Sequence, residues 1–422
     1  MRQYLSLISM GMLLFASGCS DDKETPELNF TEKIFNSSNG LEILYNGVEM
    51  PGKTVSVKRV GDKAEISSFS IFDMSQLSAL GLSGELPCPG IIPGSPETVW
   101  EVPITEKDGV YSFSGKDENN FCSYSFYGEI SSDRLMISIV DPVLKNHPLS
   151  DIVWKPAPIK EDAASGITSL PFYVDWEIDP IAGIDIDLSP LLESLTVLPI
   201  IPVYDNTAYM SLSQALEQIV QATTFKADGN ILFTYISTVG GAAHLAQTQP
   251  NGLQYTLSGS DVLKLYVNPL SLFGFIIENT SGGTAPEDVD LNDKGLFPSG
   301  NSRVSSGTSN SGILSSPLSV AMIKGVMGEI LPLLSTGIPL KYTVIDNHLE
   351  IYIDTEESLT LLNTIIDSFL QNDEAVKALV AQLKQNPGIA PLLEDLPKLQ
   401  ETVTQSLLNT TKLRIGFNWI KQ

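Results

Sequence analysis

The sequence predicts a chain in two parts. The first is an all-β N-terminal domain, an up-and-down barrel or sandwich; the second is an α+β C-terminal domain with helices on one face of an antiparallel sheet. Three observations carry this. From about Leu28 to Ala157 apolar residues recur at every second position, the period of a half-buried strand. Short clusters of Gly, Asn, Asp and Ser separate those runs at hairpin spacing. After about Leu170 the texture changes, and strand-like runs alternate with long leucine-rich segments of helical period.

In the first unit, residues 28–157, the alternating runs are Leu41-Ile43-Tyr45, Val55-Val57, Ala64-Ile66, Trp100-Val102-Ile104, Tyr111-Phe113, Cys122-Tyr124-Phe126 and Leu135-Ile137-Ile139. Asn46-Gly47, Gly61-Asp62, Lys107-Asp108-Gly109 and Ser131-Ser132-Asp133 punctuate them. An eighth strand around Ile152-Val153-Trp154 could close the set. Leu77 to Glu97 is rich in Gly and Pro and reads as a long connection over one barrel mouth.

Asn46-Gly47, Lys53-Thr54-Val55-Ser56-Val57, Gly109-Val110-Tyr111-Ser112-Phe113-Ser114-Gly115 and Tyr127-Gly128-Glu129-Ile130 together resemble the calycin-like barrels of Bacteroides lipoproteins. That resemblance implies an eight-stranded meander, often with a small apolar ligand inside. Eight strands can equally be filled by their own side chains.

Residues 158–169, with Pro158 and Ala163-Ala164-Ser165-Gly166, read as a linker. In the second unit, residues 170–422, strands are expected at Phe172 to Ile178, Ile231 to Ser237, Leu253 to Leu257, Val262 to Val267, Leu340 to Ile345, Leu349 to Ile353 and Leu413 to Ile420. The last alternates cleanly through Leu413, Ile415, Phe417 and Trp419, which predicts a C-terminus pinned in the sheet. A helix over Ser211 to Thr223 begins with Ser211 and Gln214 in capping-box spacing. Further helices are expected at Ile313 to Leu334, Glu356 to Leu370, Glu374 to Leu383 and Leu392 to Leu408. Ser299 to Ser316, nearly all Ser, Gly and Asn, reads as a loop.

Ahead of both units, Arg2 and an apolar run from Leu5 to Phe15 form a secretory signal over residues 1–18. The run is too short for the ~20 residues a membrane span needs. Ala16-Ser17-Gly18-Cys19 resembles a bacterial lipobox, in which Cys19 becomes the lipidated first residue, anchoring the chain to outer-membrane lipid. Residues 19–27 then form an acidic tether. Ser20, Asp21, Asp22 and Glu24 resemble the export signal that sends Bacteroides-group lipoproteins to the cell surface. The second unit, including Phe225-Lys226-Ala227-Asp228-Gly229-Asn230-Ile231, resembles an uncharacterised family of outer-membrane lipoproteins of that group. The family resemblance implies fold and location, and no activity.

The chain has 422 residues, 50 Asp and Glu against 25 Lys and Arg, and a formal charge of −25. Loss of Arg2 with the signal makes the mature part more negative still. Such a surface repels nucleic acid and anionic membranes, which removes nucleic acid as a partner. Apart from Cys19 only Cys88 and Cys122 remain, either one disulfide in an oxidising compartment or two unpaired buried thiols.

No catalytic motif stands out, and no cofactor is expected. His147, His244 and His348 lack an HExxH or GxSxG context. Asp175, Glu177 and Asp179 share one face of a strand, so that face is either open to water or holds a calcium ion. Asp288 to Asn292 opens like a calcium loop, but Asp293 stands where Gly is needed and Ser299 where the bidentate Glu belongs. Exposed aromatic rings would point to glycan binding, with Trp100, Trp154, Tyr204 and Tyr209 as candidates. The expected function is a surface-anchored, non-enzymatic binding or adhesion module. The alternatives are a carrier of a small apolar ligand and a glycoside hydrolase built on a carboxylate pair.

Overall fold

The computed structural model describes residues 32–73, 84–162, 166–180, 201–202, 209–237, 244–269, 331–370 and 396–422. Over these residues the chain is chiefly β-sheet.

The first unit supplies β1 (Glu32–Asn36), β2 (Leu41–Tyr45), β3 (Val48–Glu49), β4 (Thr54–Val60), β5 (Lys63–Phe69), β6 (Ile71–Asp73) and β7 (Glu85–Pro87). After them come β8 (Thr98–Pro103), β9 (Thr105–Lys107), β10 (Val110–Glu118), β11 (Cys122–Ile130) and β12 (Leu135–Leu144). Two open sheets result, in the orders β1-β4-β5-β8 and β3-β2-β12-β11-β10-β9. Neither closes into a barrel, so the calycin-like meander is not formed. Strand β12 returns to lie parallel to β2, with Ile137 opposite Ile43, whereas a meander has only antiparallel neighbours. Period-two alternation sorts side chains by face and says nothing about which strand lies alongside.

The two sheets bury their apolar faces against each other. Trp100 of β8 stacks on Phe126 of β11 with centroids 4.5 Å apart and planes at 17°. Its Nε1 donates to the Tyr124 hydroxyl at 3.1 Å, which donates to Asp117 Oδ2 at 3.0 Å. The segment expected over a barrel mouth instead contributes Ile91 and Ile92 to the core, both fully buried.

The rest supplies β13 (Val153–Pro156), β14 (Lys160–Asp162), β15 (Gly166–Ser169), β16 (Phe172–Ile178), β17 (Ile201–Pro202), β18 (Tyr209–Met210), β19 (Val220–Phe225) and β20 (Ile231–Ser237). The series ends with β21 (His244–Gln247), β22 (Leu253–Ser258), β23 (Val262–Val267), β24 (Ile338–Ile345), β25 (His348–Ile353) and β26 (Thr410–Lys421). A ten-stranded sheet runs β21-β20-β19-β13-β26-β25-β24-β23-β22, with β16 also on β26. The central strand is β26, the alternating C-terminal run. Along one edge it pairs first with β16 and then with β13, and along the other with β25. At the β24–β25 turn Asp346 takes the left-handed conformation, φ +54°, that a glycine usually fills.

Three α-helices are described: α1 (Leu212–Ile219), α2 (Thr355–Leu370) and α3 (Leu396–Leu408). The Ser211 capping box forms, Ser211 Oγ accepting from Gln214 N at 3.1 Å and Gln214 Oε1 from Ser211 N at 2.8 Å. Helix α1 ends four residues before the expected Thr223, because Val220-Gln221-Ala222-Thr223-Thr224 enters β19 instead. Leu359 and Leu362 of α2 and Val403 and Leu407 of α3 pack around Trp176 and Leu413 in a second small core. Of the helix expected at Ile313 to Leu334, residues 313–330 lie outside the described residues and Leu331–Leu333 form a single 3-10 turn; the helix expected at Glu374 to Leu383 and the Ser299 to Ser316 loop lie outside them altogether.

Two boundaries move. Strand β13, expected to close the first unit, lies inside the large sheet between β19 and β26, with Trp154 opposite Thr223. The linker contains the β14–β15 hairpin. The two units also share one core: Trp154, Phe225, Tyr255, Leu349 and Trp419 join Phe35, Ile66, Trp100 and Ile137. Polar contacts clasp the seam. Tyr45 Oη donates to Asp228 O at 2.6 Å, and Asn46 Nδ2 to Asp228 Oδ2 at 3.1 Å. Asn251 Nδ2 lies 3.1 Å from Val48 O and 3.2 Å from Glu49 O, donating to both.

Candidate functional site

Strands β10, β11 and β12 turn one face inward and one to solvent. Inward, Phe113 lies opposite Gly128 and Phe126 opposite Gly115. Each ring folds over its glycine: a Cβ on Gly128 would come within 2.3 Å of the Phe113 ring, and one on Gly115 within 2.6 Å of the Phe126 ring. This close packing seats β10 and β11 against the core and leaves the alternate side chains facing outward.

The outward face carries an open groove of about 390 Å³ whose rim includes Pro103, Thr105, Ser112, Ser114, Tyr127 and Glu129. The register sets its layout. Thr105, Ser112, Glu129 and Met136 form one row across β9, β10, β11 and β12, and Ser114, Tyr127 and Ser138 the next. Tyr127 is 47% exposed, a large aromatic surface left to solvent in the middle of a sheet. Around it stand hydroxyls, the Glu129 carboxylate and, in the adjoining row opposite Ser125, the exposed Lys116. A half-exposed ring beside hydroxyls and a carboxylate can stack on the flat apolar face of a ligand while its neighbours exchange hydrogen bonds with the ligand's edge.

Tyr127 was not among the aromatics singled out in the sequence. Trp100 and Trp154 are buried in the core. Tyr204 lies outside the described residues, and so does the side chain of Tyr209. The signal for Tyr127 was present in the alternation. Cys122, Tyr124 and Phe126 set the inward phase of β11, which leaves Tyr127 as an aromatic in the outward phase.

The Asp175 and Glu177 side chains, 39% and 60% exposed, lie on a face open to water, the first of the two expectations. Asp175 and Glu177 lie on β16 beside β26, and Lys412 Nζ reaches both, 2.8 Å from Asp175 Oδ2 and 2.7 Å from Glu177 Oε1. The cation on that face is a lysine. Bonds to the two carboxylates raise the Lys412 pKa and keep it charged. Asp179 sits beyond the end of β16, its amide donating to Asn409 O at 2.9 Å. Among the described residues no group of three His, Cys, Asp or Glu side chains is placed to hold a metal ion. Asp288 to Asn292 lies outside the described residues.

The two cysteines offered as a disulfide are free, buried thiols. Each donates to a nearby carbonyl, Cys88 to Leu86 O and Cys122 to Ser123 O. Burial pushes both up to about 11, the range of unreactive thiols. The histidines stand apart: His147 contacts Ser150 Oγ at 2.9 Å, His244 opens β21 and His348 opens β25.

A second cleft, of about 490 Å³, lies between β24 and the start of α2 and is lined by Lys341, Asp354, Glu356 and Glu357. Lys341 is paired with Asp261 at 2.8 Å. Nearby the Arg414 guanidinium lies over the Tyr352 ring at 4.7 Å, covering it, so no open aromatic surface faces this cleft.

Cys19, Ser20, Asp21, Asp22 and Glu24 lie outside the described residues. No helix among those described is long and apolar enough to cross a membrane. No family model, curated protein or solved structure matches the chain.

Proposed function

We propose that the chain is a lipoprotein held at the outer face of the outer membrane by Cys19, and that it acts as a non-enzymatic binding or adhesion module. Its contact surface is the groove around Tyr127, and its ligand is a glycan. The observation that carries the reading is the half-exposed Tyr127 ring, set among Ser112, Ser114, Thr105 and Glu129 on the outward face of a sheet whose other face is packed in the core. The lipobox-like Ala16-Ser17-Gly18-Cys19 and the acidic residues after it support the anchor and the surface location. Helices α2 and α3, packed over Trp176 and Leu413, support an α+β character for the second unit. The carrier reading has less support, since Trp100, Tyr124 and Phe126 fill the space between the first two sheets.

A glycan array probed with the detergent-solubilised mature chain tests the proposal. Binding to a defined set of glycans, lost in Tyr127→Ala, is the expected result. A chain that binds no glycan, or binds equally well without the Tyr127 ring, would overturn it.

A further inference from the structure

At one end of the inward face of β4, β5 and β8, under the segment 88–97 that joins β7 to β8, we propose a buried site for one small monovalent anion of the halide class, held by Lys53, Ser68 and Thr98. The strand register brings these residues together. Towards this end the inward positions run Val57, Val55 and Lys53 on the first strand, Ala64, Ile66, Ser68 and Ser70 on the second, and Val102, Trp100 and Thr98 on the third. Each row turns from apolar to polar at the same end. Val55 stands opposite Ser68, and Ser68 opposite Thr98. The Ser70 hydroxyl donates to Gly52 O at 2.7 Å, which fixes Ser70 beside Lys53. The covering segment closes on the same spot: the Cys88 amide donates to Ser70 O at 2.9 Å, and Lys53 Nζ to Pro89 O at 2.5 Å. Lys53, Ser68, Ser70 and Thr98 are all buried.

The site has surplus donors and no counter-charge. Ser68 Oγ and Thr98 Oγ1 are buried without a hydrogen-bond partner. The Lys53 ammonium carries three N–H donors, and among the described residues the Pro89 carbonyl is the acceptor it meets. The ionisable group that acts on it is the Cys88 thiol, itself buried and donating to Leu86 O. A charge taken out of water with one neutral carbonyl beside it is among the costliest arrangements a core can hold, and so is a buried hydroxyl left unpaired. Water would satisfy the hydroxyls and leave the charge unbalanced. An anion does both.

The class of anion follows from the donors. One ammonium balances one negative charge, so a phosphate or sulfate dianion would bury an excess. Two hydroxyls on neighbouring strands, ~4.8 Å apart, and a lysine reaching in from a third strand surround a point; a planar carboxylate is served best by two parallel donors. A spherical halide accepts from any direction. The formal charge of −25 opposes anion entry, but physiological salt screens charges more than ~8 Å away, whereas Lys53 acts at contact distance. A bound anion also holds the proton that burial alone drives off Lys53.

Two measurements on the detergent-solubilised mature chain test the proposal. In crystals grown with sodium bromide, an anomalous scattering peak should appear in contact with Lys53 Nζ, Ser68 Oγ and Thr98 Oγ1. In solution, thermal melts compare sodium chloride with sodium gluconate at equal ionic strength, gluconate being too bulky for the site. Chloride at about ten times its Kd should raise the wild-type melting temperature by roughly 3 °C. That rise should fade as pH climbs above about 8, where the anion-free folded chain releases the lysine proton. Lys53→Met should lose the chloride response. Ser68→Ala with Thr98→Val keeps the lysine and should weaken chloride binding at least about fivefold, at about 0.5 kcal/mol per hydroxyl; with the bromide crystals of the wild type it keeps the test decisive if Lys53→Met does not fold. An empty site in bromide, or a chloride response identical in the wild type and the variants, would overturn the proposal.

Discussion

Lys53 is the most exposed test of the energetics, although the residue itself is 6% exposed. Its Nζ donates to Pro89 O at 2.5 Å, inside the core and close to Cys88. Burial lowers its pKa from the ordinary 10.5 to about 8, with the nearby thiol a smaller opposing influence. Between those two values the unfolded chain holds a proton that the folded chain has released. Stability therefore rises with pH across this window, and the stabilisation is absent below about pH 8. At about 1.4 kcal/mol per pH unit, the difference from 10.5 to about 8 amounts to roughly 3 kcal/mol, of which roughly 2 has accrued by about pH 9.5. Cys88 and Cys122 act in the opposite direction. Their pKa values are raised from 9.0 to about 11, so they remove stability as pH climbs above about 9. Lys53→Met takes away one charge acting on Cys88, but that thiol, pushed up to about 11 by burial, stays protonated in the folded chain through this window, so the comparison reads the lysine. Denaturant unfolding of the two proteins from about pH 7 to 9.5 should show wild type gaining roughly 2 kcal/mol on the variant. Parallel pH profiles would refute the buried, depressed lysine.

Five further outcomes follow from the packing and the sequence. Asn251 sits at φ +65° and clasps Val48 and Glu49, so Asn251→Ala should lower stability by roughly 2 kcal/mol through lost hydrogen bonds and backbone strain, read by denaturant unfolding; limited proteolysis at Lys160 to Ser169 should not release two independently melting halves. Calcium at millimolar concentration should leave the melting temperature unchanged, since Lys412 already occupies the space between Asp175 and Glu177. Lys412→Met should cost no more than about 1 kcal/mol, these pairs being part-exposed. Cys19→Ala should move the protein from the outer-membrane fraction to the soluble one; a variant that stays membrane-bound removes the lipid anchor.

Local features were legible in the sequence, and long-range ones were not. The β26 alternation, the Ser211 capping box and the Asn46-Gly47 turn all read correctly, because each is decided within a few residues. Strand partners are decided elsewhere. Trp154 looked like the end of a meander, but its place is set by Thr223 and Lys421, residues up to 267 positions away along the chain (421 minus 154). The parallel β2–β12 pairing likewise leaves no local trace. For the site, the carboxylates of β16 were found and their partner Lys412 was not, since it comes from the far C-terminal strand. Tyr127 was overlooked for a different reason. Its outward phase on β11 is visible in the sequence, while the hydroxyls that make a groove around it come from β9 and β10.

The central claim is that ligand contacts fall on the outward face of β10 and β11. Amide chemical-shift mapping of the mature chain, titrated with a neutral oligosaccharide, addresses it most directly. The account predicts saturable shifts confined to Thr105, Ser112, Ser114, Tyr127, Glu129 and their immediate neighbours. Shifts gathered instead at the Lys341 and Asp354 cleft, or no shifts with any glycan, would contradict it.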